Sequence, residues 1–201
     1  MGNSEPQVYF SDLPINNQGA PLALIYLIRH GQETARGSGA RDPGLSDLGR
    51  EQATAMAARM RAIGPCAIVS SPLARARETA APLAEFWRTK PVIEHAIKEV
   101  PSPPGEDRAA WWDRVSTGSW DDAGDAVAQW CQDIIDYLGG LQNDTVIFSH
   151  FVVISAMVGV ATGSQRIDSF RPGNCSVTIL DVKDGVLSLV ERGFEASKDV
   201  R

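Results

Sequence analysis

Two of the chain's three histidines, His30 and His150, each directly follow a short apolar run: Leu24-Ile25-Tyr26-Leu27-Ile28 leads to Arg29-His30-Gly31, and Thr145-Val146-Ile147-Phe148 leads to Ser149-His150. A third run, Ala67-Ile68-Val69, leads through Ser70-Ser71-Pro72 to Arg75, and a weaker one from Pro91 to Ile97 leads to Glu99. Two arginines, two histidines and a carboxylate on one rim suit phosphate chemistry. Guanidinium forks match phosphate oxygens with paired N–H bonds. A neutral imidazole can attack phosphorus and form a covalent phosphohistidine. A second imidazole and the arginines can spread over the equatorial oxygens as charge redistributes. A carboxylic acid can protonate the leaving oxygen. Such a design calls for no metal and no cofactor.

These residues meet only if the runs are strands of one sheet. Each run is apolar throughout, as expected for strands buried on both faces of a parallel sheet. Helices are expected between them. One is capped by Ser46 and runs to about Ile63, with Leu48, Ala53, Met56, Ala57 and Met60 at helical spacing. A second ends near Trp87. Others cover about 107–115 and 121–139, and an apolar helix begins at His150. Ser176–Val182 and Val186–Glu191 read as a hairpin across Lys183-Asp184-Gly185. The fold class is therefore α/β: a three-layer α/β/α sandwich whose mostly parallel sheet carries antiparallel edge strands. In such sheets ligands bind beyond the carboxyl ends of the strands, where these side chains stand.

Composition narrows the partners. The chain has 201 residues, 43% hydrophobic and 22% charged, as in a globular protein. A net charge of −6 disfavours nonspecific nucleic-acid or anionic-membrane binding, so any anion must be held by local arginines. Cys66, Cys131 and Cys175 form neither a disulfide framework nor a zinc ribbon, and Cys66 and Cys175 read as small buried hydrophobes beside strands. No apolar run approaches a membrane span, and no signal peptide is legible, so the cytoplasm is the expected compartment. Residues 1–22 read as an irregular N-terminal extension and 23–201 as a single catalytic domain.

Three ordered motifs carry a family resemblance. Arg29-His30-Gly31 with Leu45-Ser46-x-x-Gly49-x-x-Gln52-Ala53, then Ser71-Pro72-Leu73-Ala74-Arg75-Ala76-x-x-Thr79-Ala80, then Val146-Ile147-Phe148-Ser149-His150 together resemble the histidine phosphatase superfamily, the phosphoglycerate mutase-like fold. The resemblance spans about 24–182. It implies His30 as nucleophile, and Arg29, His30, Arg75 and His150 as the phosphate pocket. Glu99 stands where the main branch has its proton donor. The other branch has Asp after the second histidine; here that position is Phe151, which assigns the chain to the Glu branch. The implied activity is a metal-independent histidine acid phosphatase-type hydrolysis of small-molecule phosphate monoesters. Phosphoglycerate mutase-type transfer, phosphohistidine-protein phosphatase activity and a non-catalytic phospholigand-binding module stay open.

The chain also departs from the family. Phe151 replaces the usual Gly and adds bulk over the pocket. Val100-Pro101-Ser102-Pro103-Pro104-Gly105 replaces an aromatic, Gly-rich segment, leaving Glu106 and Asp107 as rival acids. Trp111, Trp112 and Trp120 read as core, with a substrate lid or subunit contact as the alternative. Arg36 and Arg41 read as solvated charges or as contacts to a second anionic group. Arg77 and His95 are expected at the surface, and Ser149 to satisfy backbone. The leaving group and the oligomeric state are left open.

Overall fold

The structure is a computed structural model, and it describes residues 23–34, 42–101, 105, 107–167 and 169–196. Strand β1 (Ala23–Arg29) is central because its side chains are apolar on both faces. It pairs in parallel with β4 (Thr145–Ser149) and antiparallel with β5 (Val177–Lys183). Beyond β4 lie β2 (Ala67–Ser70) and the short β3 (Val92–Ile93), both parallel; beyond β5 lies β6 (Val186–Glu191). The sheet order is β3-β2-β4-β1-β5-β6, the expected mostly parallel sheet with its antiparallel strands at one side.

Strand alternation sends the core in two directions. Tyr26, Ile28, Val146 and Phe148 face helices α1 (Asp47–Met60) and α2 (Ala74–Trp87), meeting Ala53, Met56, Met60, Ala80 and Leu83. Ile25, Leu27, Ile147 and Leu180 face the other way. They meet α3 (Arg108–Val115), α4 (Asp125–Gly139) and α5 (Phe151–Thr162) through Trp111, Ile134 and Ile154. Helix α5 is apolar all round, which fits its almost complete burial. The Ser46 side chain caps α1 by accepting from Gly49 N. The β5–β6 turn holds Asp184 at φ 51° and Gly185 at φ 79°, the paired positive angles of a tight primed turn.

Several local expectations are corrected. Leu48 is 49% exposed, because the α1 stripe that meets the sheet runs through Ala53, Met56 and Met60 instead. The strand expected over 91–97 shrinks to the two exposed residues Val92 and Ile93, since the register sets Ile93 against Ser70, the last residue of β2. The helix expected from 121 begins at Asp125; a 3-10 turn over Trp120–Ala123 precedes it, and Gly124 at φ 89° separates the two. Cys175 is buried in the core as expected, in a turn at φ 58° just before β5, whereas Cys66 is only half-buried. No helix among the described residues is long and apolar enough to cross a membrane. The extension 1–22, Arg36, Arg41 and Glu106 lie outside the described residues.

Candidate active site

The parallel register of β1 and β4 aligns Arg29 with Ser149, so the next residues, His30 and His150, emerge side by side. His30 N donates to Ser149 O at 3.0 Å, and the two imidazole rings stand 5.3 Å apart between centroids. On the other flank β2 aligns Ser70 with Phe148, which delivers Ser71 beside His150. Ser71 Oγ and His150 Nε2 are 2.7 Å apart, both fully buried. The His150 side chain does not cap α5, although its residue occupies the cap position.

His30 is held on one edge and open to chemistry on the other. Its Nδ1 lies 2.7 Å from Gly31 O, a contact only a protonated Nδ1 can make by donating. Nε2 therefore carries the lone pair, and it accepts from Arg75 Nε at 3.2 Å. Burial, then the Arg75 cation, push the imidazole down to about 3, with Arg29 adding and the Gly31 carbonyl opposing. His30 is thus a neutral base with its Nε2 turned toward a guanidinium.

Backbone packing fixes this edge of the imidazole. A Cβ on Gly31 would sit 2.6 Å from Gly49 O, and one on Gly49 would sit 2.1 Å from Gln32 O. Only two glycines let the loop after β1 lie on the first turn of α1. Gly31 N donates to Thr79 Oγ1 at 3.0 Å, and Thr79 Oγ1 donates to Arg75 O at 2.6 Å, which ties α2 to the same loop. From the β5 side, Asn174 Nδ2 donates to His30 O at 2.9 Å and Cys175 N donates to Arg29 O at 3.0 Å.

The arginines are similarly placed. Arg29 Nη1 donates to Pro172 O at 2.8 Å, and its guanidinium lies 5.3 Å from the Phe151 ring centre. Burial lowers its pKa, and the Glu99 and Glu33 carboxylates oppose that shift. Arg75 is mostly buried against His30 while Arg77 is exposed, so the helix presents one of the two. Arg171 approaches Phe151 from elsewhere, 5.5 Å from the ring centre, and Trp112 meets the same ring edge-on at 6.3 Å. Trp111 is core and Trp120 stacks toward Trp130, so of the three tryptophans it is Trp112 that reaches the rim.

Glu99 is partly buried, accepts from Val100 N at 3.1 Å, and is near enough to Arg29 to act on it electrostatically. Asp107 is exposed and accepts from Ala110 N at 3.0 Å in the first turn of α3, a capping role. Ser149 satisfies Ile97 O at 2.8 Å, and His95 is exposed, both as expected. Gln32 and Thr34 turn to Ser46 and Gly44 rather than to the pocket. Sequence reasoning missed the roles of Ser71, Glu33, Asp42 and Asn174. Ser71 had a legible signal, its place at a strand end; the others come from loops whose return to the site no local pattern records.

A family model described as the histidine phosphatase superfamily (branch 1) matches residues 25–194. Among curated proteins, the bifunctional protein Rv2228c of Mycobacterium tuberculosis is 37% identical over 99 residues, which are 47% of this chain and 25% of that protein. The chain therefore matches only about a quarter of that relative's length. A phosphoglycerate mutase from Bacillus anthracis superposes with a TM-score of 0.70 at 17% identity, covering 86% of this chain and 93% of that one, a likeness of fold. A mycobacterial glucosyl-3-phosphoglycerate phosphatase, solved with VO3, superposes with a TM-score of 0.62 at 25% identity, covering 89% of this chain and all 100% of the other.

Proposed function

The chain belongs to the histidine phosphatase superfamily, and from that premise we propose that it hydrolyses phosphate monoesters through a phosphohistidine on His30. The observation that carries this reading is the state of His30: Nδ1 committed to Gly31 O at 2.7 Å, and Nε2 unprotonated within 3.2 Å of Arg75 Nε. In this reading Arg29, Arg75 and His150 hold the phosphoryl oxygens. The Nε2 lone pair forms the N–P bond as the ester P–O bond breaks. The leaving oxygen takes the proton of the Glu99 carboxylic acid. Water then attacks phosphorus and gives its proton to the Glu99 carboxylate, the N–P bond breaks, and inorganic phosphate leaves with His30 neutral again.

Hydrolysis is favoured over retention of the phosphoryl group by the modest segment between Glu99 and α4, which among its described residues holds α3 and one 3-10 turn as regular elements. Phe151 beside Arg29, with Trp112 packed edge-on against it, supports a small-molecule ester over a protein substrate. The test is hydrolysis of an aryl phosphate with EDTA present, together with acid-labile, base-stable labelling of the protein by a radiolabelled phosphate ester. The native protein should turn over and label, and His30→Ala should do neither. Full activity in His30→Ala would end this reading.

A further inference from the structure

The cations that face His30 do not stand alone. Arg75 Nε lies 3.2 Å from Glu33 Oε2, and Arg75 Nη1 lies 3.8 Å from Asp42 Oδ1. The same Nε is the one that reaches His30 Nε2 at 3.2 Å. Arg29 in turn feels the carboxylates of Glu99 and Glu33. The place where a phosphoryl group would sit is thus ringed by Arg29 and Arg75 and by three carboxylates, Glu33, Asp42 and Glu99. A neutral His30 adds no positive charge to offset them.

The two carboxylates on Arg75 differ in what else they do. Both oxygens of Asp42 accept from Ala74 N at 3.0 Å, so Asp42 caps α2 from a distance and touches Arg75 only loosely. Glu33 belongs to the segment just past His30, where it bridges Leu45, and its side chain is 23% exposed. It meets Arg75 on the edge that faces His30. A phosphoryl oxygen bound between His30 Nε2 and Arg75 must therefore take over the N–H that Glu33 now shares.

We propose that Glu33 is an internal counter-anion: in the resting site it occupies Arg75 in place of a phosphoryl oxygen and must let go before a phosphate ester can dock. This rests on the reading of Arg75 as a phosphate ligand. Glu33 then sets a threshold for anions. Inorganic phosphate, which offers no contacts beyond its own oxygens, competes poorly with it. An ester whose remainder binds elsewhere in the mouth keeps affinity to spare after the same loss, so Glu33 weakens both anions alike and limits retention of the product phosphate.

Calorimetric titration with inorganic phosphate tests this on the native protein and on Glu33→Gln, Glu33→Asp and Arg75→Gln, with melting curves in phosphate-free buffer to establish that each is folded. Glu33→Gln should bind phosphate on the order of tenfold more tightly, the amount expected when a partly buried competing ion pair is removed. Glu33→Asp, which keeps the charge on a shorter arm, should fall between the two. Arg75→Gln should lose binding. If Glu33→Gln binds equally or more weakly while Arg75→Gln loses binding, Glu33 is a strut that orients Arg75 and the proposal is overturned. If Arg75→Gln binds like the native protein, or none of the proteins binds, the phosphate-pocket reading itself fails.

Discussion

Replacing His30 by glutamine should make the protein's stability less sensitive to acid. In the unfolded chain this imidazole takes up a proton near its ordinary value of 6.5; in the folded chain it resists until about 3. Between those values unfolding takes up a proton, so acidification favours the unfolded state. The contribution is fully present above pH 6.5 and is lost as pH falls toward 3. Integrated from pH 7 to pH 5, the site costs the native protein about 2 kcal/mol, and about 5 kcal/mol over the whole shift. His30 is only 6% exposed, so solvent screening takes little from that figure. The assay is urea denaturation of native protein and His30→Gln at pH 7 and pH 5. Every other titrating group is common to both, so the change in their stability difference isolates His30. The native protein should lose about 2 kcal/mol more than the variant on going to pH 5. A stability difference that stays the same at both pH values would refute the argument, and with it the claim that His30 is kept neutral by burial and Arg75. The same shift places the acidic limb of kcat/KM, where it reports His30 in the free enzyme, well below pH 6.5.

Three further outcomes follow from the geometry. Glu99→Gln should lower kcat/KM by about 10²–10⁴-fold on alkyl phosphates but far less on aryl phosphates, whose leaving groups need no proton, whereas Asp107→Asn should keep native kcat/KM and lose at most about 1 kcal/mol through its cap; steady-state kinetics on both ester classes decides between the acids. Ser71→Ala removes the 2.7 Å contact to the His150 Nε2 and should destabilise by about 1–3 kcal/mol, with kcat falling more than KM rises, read by denaturation and kinetics together. Gly49→Ala forces a Cβ to within 2.1 Å of Gln32 O and should destabilise by about 1–3 kcal/mol while moving the His30 loop, so that melting temperature and kcat fall together.

The order of strands and helices, the α/β class and the two histidines at adjacent strand ends were legible in the chain because they rest on local patterns. Apolar runs such as Leu24–Ile28 and Thr145–Phe148 declare buried strands, and the motifs with Arg29, His30, Arg75 and His150 resemble those of the histidine phosphatase superfamily. Where local pattern was weak, as in Pro91–Ile97, pairing with a short neighbour decided how much strand formed. The close fit of Gly31 on Gly49 gives a physical reason for glycines that the sequence presents only as spacing.

The tertiary structure alone decided the site's electrostatics. That His30 is neutral depends on burial beneath several elements and on Arg75, 45 residues away in sequence. That Arg75 is already engaged depends on Glu33 and Asp42 returning from a loop, and that His150 is pinned depends on Ser71, 79 residues before it. A sequence names ionisable groups by type, but desolvation and charge proximity set what each group does, and both are properties of packing.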